Sequence, residues 1–457
     1  MEASEESLFQ LSLEECRLRF SHPIQGVDVV RPCTVGDGVE QWSSDQVAKL
    51  SESWDGNMAD QCGLWVPASG EATRMFSFLQ TDEQAQVKLW ESVDRIAFGK
   101  TWKAAVHARY GSMKTASAKE ACEVLWHEVD EGRMPKGIVP FHCDGDKVEN
   151  AFDAHIAMWE MLFPERGKVW FTVSDAKQHE IEKHLSGTNV HVRWHLLQQD
   201  PKTDVPILTN GGDWLTDSAG EIVRRRGGHG ALLPLIQGLN VPMLVIRNID
   251  NAPSPSLRSL RVKWTRAMLS FSQVWSEERE RLCTLLKGKS VAPKSVVEWL
   301  NASGAGLDLN AELSTSDAQA WLNRPMRLVG VVRNEGQPGG GPYWVRIHSG
   351  LDAGLIRPQI VESIEFGEQH KSVMKSATHF NPVDMVCMFR SGQQLGPYVD
   401  SSRFMMATKT VQGHLVKVLE YPGLWNGGMS GWLTRFVEIP SSCSQPVKTA
   451  LDLIDRK

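Results

Sequence analysis

From residue 63 onward, short unbroken apolar runs alternate with longer segments whose apolar residues recur at helical spacing. Gly63–Ala68 reads as a buried strand. Asp82–Gly99 and Ala116–Glu131 read as helices, with Val87, Trp90 and Ile96 on one side of the first and Ala121, Val124 and Leu125 on one side of the second. Asn150–Leu162 repeats the pattern through Phe152, Ile156, Trp159 and Met161. Lys168–Ser174 is a strand and Asp175–Leu185 a helix with Asp175 near its cap. His191–Leu197 and Pro242–Arg247 are further strands, with a short helix over Gly230–Leu239 between them. Strands that alternate with helices predict parallel neighbours joined by right-handed crossovers, an α/β fold with a mostly parallel sheet.

Outside this run the pattern changes. Residues 1–57 read as a peripheral segment, with one short amphipathic stretch over Leu8–Phe20 and a helix near Ser44–Glu52. Residues 58–254 are the α/β core, and 255–323, helix-rich and charged, read as a helical insertion. Residues 324–457 are β-rich, with strands at Met326–Val332, Tyr343–Ile347, Gln359–Ile364, Met385–Phe389 and Phe404–Thr408 and a glycine loop at Gly336–Gly341.

A net charge of −6 over 457 residues offers no electrostatic footprint for nucleic acid. No stretch approaches the ~18–20 apolar residues of a membrane span. The acidic start, Met-Glu-Ala-Ser-Glu-Glu-Ser, has no signal-peptide pattern. The eight cysteines show neither CxxC pairing nor metal-ligand spacing, so reduced thiols and a cytoplasmic location are expected. Tryptophan outnumbers tyrosine 17 to 4, which reads as core filling, the alternative being a carbohydrate platform.

The candidate chemistry clusters just after strands. The first runs into Ala68-Ser69-Gly70-Glu71-Ala72-Thr73-Arg74, where small side chains let backbone N–H groups approach a phosphate and a helix start would add its dipole. Arg74 offers a planar fork for phosphate oxygens. The loop is neither a P-loop nor GxGxxG. Lys136, between Pro135 and Gly137, is either a point charge for phosphate or an exposed loop lysine. Gln198 and Gln199 follow the strand His191–Leu197, and Asn248-Ile249-Asp250-Asn251 follows Pro242–Arg247. In parallel sheets ligands sit outside the carboxyl ends of the strands, so these loops share one edge. Gly227-Gly228-His229-Gly230 favours close backbone approach to a ligand. Asp250 suits Mg²⁺, a hard cation held by few protein oxygens with water and phosphate. In the last third, Thr378–Asp384, with His379, Asn381 and Asp384, and Glu420–Gly428, with Lys409 and Lys417 close by, are dense in polar and special-backbone residues that could supply a second cation and a further Mg²⁺ ligand.

These residues resemble a bacterial family catalogued as a domain of unknown function (number 4301). The resemblance runs from Pro-Ala-Ser-Gly-x-Ala-Thr-Arg-Met-Phe through Lys-Gly-Ile-Val-Pro-Phe-His and Gly-Gly-His-Gly-Ala-Leu to Pro-Gly-Leu-Trp-Asn-Gly, and covers about residues 60–455. A more distant similarity is to the UDP-sugar pyrophosphorylases, which carry in the same order a Gly-Gly-x-Gly-Thr-Arg-Leu loop, Pro-Lys-Gly, a Gly-Gly-His-Gly-like turn and a Val-Asp-Asn strand end. It implies the Rossmann-like sheet of the nucleotide-diphospho-sugar transferases. It also implies that Ala68, Ser69, Gly70, Thr73, Arg74 and Lys136 hold a triphosphate, with Arg74 and Lys136 catalytic. Gly227, Gly228, His229 and Gly230 would meet the nucleoside or sugar, Gln198 or Gln199 would read the base, and Asp250 would bind metal. This chain has Pro-Ala-Ser in place of Leu-x-Gly-Gly, and a longer segment between Arg74 and Lys136, so base identity does not carry over. The expected function is a Mg²⁺-dependent nucleotidyltransferase that joins an NTP to a phosphorylated acceptor, in first place a sugar 1-phosphate, and releases pyrophosphate. The alternative is an inactive nucleotide- or sugar-binding regulator on the same fold.

Overall fold

The computed structural model describes residues 8–21, 26–112, 116–145, 147–164, 166–188, 191–336, 339–411 and 414–456. The acidic first seven residues, and Gln337 and Pro338 of the glycine loop, lie outside the described residues. The fold is mixed α/β. The chain divides into two units: the first comprises residues 44–198, 244–270 and 440–457, the second residues 1–43, 199–243 and 271–439.

In the first unit, Cys62–Pro67, Lys168–Val173 and Arg193–Gln198 run parallel. Met243–Arg247 lies on the other side of Cys62–Pro67. Cys62–Pro67 is buried along all but its last residue, as expected of a parallel strand covered on both faces. The Trp65 indole N–H donates to Thr172 Oγ1 at 2.9 Å across that pairing, so the one polar edge of a fully buried ring is satisfied. Helix Ala151–Leu162 buries Phe152, Ile156 and Trp159, and Asn150 caps it by accepting the Asp153 N–H at 3.0 Å.

The helix expected over 82–99 ends early. Glu83–Glu91, capped by Asp82, ends at Ser92, and a second helix, Gly99–Tyr110, follows. The turn between them needs glycine, because a Cβ on Gly99 would lie 1.7 Å from the Val93 carbonyl oxygen. Between residues 255 and 323 lie helices Arg258–Leu285, Lys294–Ala302 and Thr315–Leu322.

The second unit departs from a mostly parallel arrangement. Met326–Arg333 pairs parallel with Leu433–Glu438 and antiparallel with His379–Met388, while Leu433–Glu438 runs parallel to Gly38–Gln41. A separate antiparallel sheet joins Val29–Pro32, Gly341–Arg346 and Ile356–Val361. Another is ordered Arg224–Arg226, Asp204–Thr209, His414–Glu420, Met405–Val411. The strand Asp204–Thr209 is hidden in the sequence by Pro206, a residue that cannot donate to a ladder and so reads as loop.

All eight cysteines are free thiols, and no helix among the described residues is long and apolar enough to cross a membrane.

Candidate functional site

In the first unit the small-residue loop after Cys62–Pro67 is tied to the segment carrying Lys136. The Lys136 N–H donates to the Gly70 carbonyl at 3.1 Å and the Ala72 N–H to the Met134 carbonyl at 3.0 Å. Thr73 Oγ1 donates to the Gly132 carbonyl at 3.1 Å. These bonds use one loop carbonyl, that of Gly70, and two loop donors, the Ala72 N–H and the Thr73 hydroxyl. The N–H groups of Ser69, Gly70 and Glu71 have no hydrogen-bond partner among the described residues, and all three residues are exposed. Open amides of this kind are available to an anion. The helix that follows, Thr73–Phe76, has only four residues, so its dipole adds little and the expected helix-start contribution is not available. Ala68 is buried, whereas Arg74 is exposed beside the loop.

The Lys136 ammonium lies 2.6 Å from Asp250 Oδ1 and donates to the Val447 carbonyl at 2.8 Å. The other carboxylate oxygen of Asp250 takes Lys448 Nζ at 3.0 Å. Lys136 and Asp250 are 12% and 14% exposed and Lys448 51%, so the outer lysine faces solvent and the inner pair is largely sheltered. Asp250 sits on the turn Ile249–Asn251, where the Asn248 side chain accepts its N–H. Next to it, the buried Asn251 accepts from Arg261 Nη1 at 3.1 Å and from the Gln445 N–H at 2.9 Å, and the Val447 N–H donates to the Asp250 carbonyl at 2.9 Å. The segment 443–448 is thus bound to the strand-end turn by its own backbone.

Burial pushes the Lys136 ammonium below the ordinary lysine value. Asp250 opposes the shift, while the charges on Lys448 and Arg74 add to it. Burial works in the opposite sense on Asp250, raising its pKa, yet Lys136 and Lys448 outweigh that and hold the carboxyl below its ordinary range. Two ammonium groups on one carboxylate, with Arg74 beside them, leave a surplus of positive charge next to open amides. Such an arrangement favours an anionic group beside it. Lys448 was not expected from sequence: it lies near the chain's end, with no local pattern to mark it.

The second unit gathers another part of the expected set. Gly228 has φ +78°, and a Cβ on Gly230 would lie 2.1 Å from the Pro422 carbonyl oxygen, so the Gly-Gly-His-Gly turn packs directly on the segment Glu420–Trp425. Gly227 is covered by the Tyr421 ring, where a Cβ would approach to 2.6 Å. The His229 ring stacks on Trp425 at 4.3 Å between centroids, accepts the Leu424 N–H on Nδ1 at 3.0 Å, and places Nε2 3.6 Å from Glu362 Oε1. Lys409 pairs with Glu420 at 2.5 Å, so it is already neutralised, whereas Lys417 makes no ion pair among the described residues.

Other expected residues are placed elsewhere. Gln198 belongs to the first unit, is exposed, and pairs with Gln178. Gln199 belongs to the second, is buried, and donates to Thr203 Oγ1 at 2.9 Å, which turns its amide inward. His379, Asn381 and Asp384 lie buried on one strand. His379 contacts Glu438 Oε2 at 3.0 Å and Thr378 Oγ1 at 2.8 Å. Asn381 accepts the Val383 N–H at 3.1 Å, where Val383 is left-handed at φ +59°. Both side chains thus brace an irregular strand. Asp384 pairs in register with Gly330 in the second unit, whereas Asp250 belongs to the first.

A solved structure has the same fold over almost the whole chain. It is a point mutant of UDP-glucose pyrophosphorylase from Leishmania major in complex with UDP-glucose, and it matches with TM-score 0.50 at 12% identity over 96% of this chain and 73% of that one. A second point mutant of UDP-glucose pyrophosphorylase from Leishmania major matches with TM-score 0.48 at 12% identity over the same shares. At this identity the likeness is one of fold. No curated protein matches the chain by sequence. A family model does, over residues 4–457, and the chain therefore belongs to the family described as "Domain of unknown function (DUF4301)".

Proposed function

We propose that this protein is a nucleotidyltransferase. A phosphorylated acceptor, in first place a sugar 1-phosphate, attacks the α-phosphorus of an NTP, and pyrophosphate leaves. The observation that carries this reading is the pairing of Lys136 and Lys448 on Asp250 beside the open amides of Ser69–Glu71. The fold shared with UDP-glucose pyrophosphorylase supports it, and with it a Rossmann-like nucleotide-diphospho-sugar transferase core. A phosphate oxygen is already ionised at neutral pH, so the attack needs no general base and no covalent enzyme intermediate. The work left to the protein is alignment of the two phosphates and neutralisation of charge that builds on the leaving group. Lys136, Lys448 and Arg74 supply that charge, and the loop amides hold the polyphosphate in register.

Magnesium enters this reading as part of the substrate, carried in with the NTP. Both carboxylate oxygens of Asp250 face ammonium groups, and no group of three or more His, Cys, Asp or Glu side chains among the described residues could hold a metal ion. That donor set would suit a cation held chiefly by phosphate and water, with Asp250 the one carboxylate of the site that would face it.

The test is calorimetric binding of ATP, GTP, CTP and UTP with Mg²⁺, followed by pyrophosphate release with a panel of sugar 1-phosphates. Binding of one nucleotide with release of pyrophosphate supports the reading. Binding without turnover across the panel would make the chain a nucleotide-binding regulator.

A further inference from the structure

We infer that Trp425 is a positioning residue that holds His229 and Glu362 in fixed register, so that the imidazole offers one N–H donor to a ligand. Only the identity of that ligand rests on the nucleotidyltransferase reading. The Leu424 N–H donates to His229 Nδ1 at 3.0 Å. A ring nitrogen that accepts carries no proton, so the neutral ring bears its hydrogen on Nε2. The Trp425 ring lies on the imidazole with an interplanar angle of 20°, which sets the plane in which Nε2–H points. The same indole donates from Nε1 to Glu362 Oε1 at 2.8 Å, and the Glu362 backbone is fixed at the turn Ser363–Glu365, where its N–H donates to Glu365 Oε2 at 2.9 Å. Held by the indole on a fixed backbone, Oε1 stays 3.6 Å from Nε2, beyond hydrogen-bond reach. His229 and Glu362 are 27% and 24% exposed, so the Nε2–H remains open to an oxygen acceptor on a ligand. Without the indole N–H, the smallest relaxation closes Oε1 onto Nε2–H and occupies the donor.

Trp425→Phe keeps an aromatic ring over the imidazole and removes the donor together with the second ring of the indole. The readouts are ring ¹⁵N NMR of His229 in the full chain at pH 8, assigned with His229→Gln, and calorimetric binding of UDP-glucose. The wild type is expected to show the Nε2–H tautomer. In Trp425→Phe the tautomer persists, the Nε2–H proton moves downfield as Glu362 closes on it, and UDP-glucose binds about tenfold more weakly, the loss of one hydrogen bond to a charged group. Trp425→Phe combined with Glu362→Gln should lose no more than the single variant. An Nδ1–H tautomer in the wild type, or an unmoved Nε2–H resonance in Trp425→Phe, overturns the inference whether or not UDP-glucose binds. UDP-glucose bound equally by wild type and Trp425→Phe overturns it too. A wild type with the expected tautomer and shift that transfers no nucleotidyl group overturns the proposed function and leaves the clamp standing.

Discussion

Asp250→Asn removes one negative charge from between two lysines while keeping the shape of the side chain. The Lys136 contact at 2.6 Å is sheltered, and Coulomb's law at an effective dielectric of 20 puts its attraction at about 6 kcal/mol before desolvation. The Lys448 contact at 3.0 Å involves a lysine that is 51% exposed, so screening leaves it about 1 kcal/mol or less. Breaking a sheltered pair from one side leaves an uncompensated charge, which typically costs about 3–5 kcal/mol, whereas removing both partners is close to neutral. Asp250→Asn should therefore destabilise the first unit by about 3–5 kcal/mol, and Lys136→Met by less, since Lys448 still serves the carboxylate. The double variant should be more stable than Asp250→Asn alone, a coupling of opposite sign to the single losses. Urea unfolding followed by tryptophan fluorescence reads this directly, because Trp65, Trp102 and Trp159 are all buried in that unit. A loss below about 1 kcal/mol for Asp250→Asn, or simple additivity in the double variant, would show that the triad carries no buried charge coupling and refute the electrostatic reasoning.

Lys136→Ala should lower pyrophosphate release by about 10²–10³-fold, the usual loss for one preorganised charge donor; unchanged turnover would remove Lys136 from the mechanism. Gly230→Ala forces a Cβ to 2.1 Å from the Pro422 carbonyl oxygen and should cost about 1–3 kcal/mol in urea unfolding, with a variant as stable as wild type arguing against this packing. Burial lowers the His142 pKa from 6.5 to about 4, with the charges on Arg456 and Arg258 adding to the shift. In that interval the unfolded chain binds more protons than the folded one, so stability is complete above the unfolded value and falls as pH drops towards the folded value, by about 3 kcal/mol in all. Unfolding midpoints measured from pH 7 to pH 4 should show that decline, and His142→Gln should flatten it; an equal slope in both would assign the pH dependence to other groups.

The candidate site of this protein was partly legible because its signals are local. A buried strand shows as an unbroken apolar run and a helix as a 3.6-residue recurrence, so the α/β class and the Ser69–Arg74 loop follow from short windows of sequence. Lys136 and Asp250 could be suspected singly, each as a charged residue beside a special backbone segment. Local pattern misled where a tertiary contact outweighed it. The periodicity over 82–99 ran through a turn that only the Gly99–Val93 packing reveals, and Pro206 disguised a strand. His379 and Asn381 carry the residue types of a binding loop but brace a buried strand.

Sequence by itself determined which segments could be strand, helix or phosphate-holding loop, since those properties depend on neighbours a few residues away. Tertiary structure alone decided the partners. Lys448 reaches Asp250 from 198 positions along the chain, and Leu424 reaches His229 from 195. Gln198 and Gln199, adjacent in sequence, end in different units with one amide exposed and the other turned inward. Charge pairing, ring stacking and burial act through space over a few ångströms, and nothing in the order of residues records which distant side chain will arrive there.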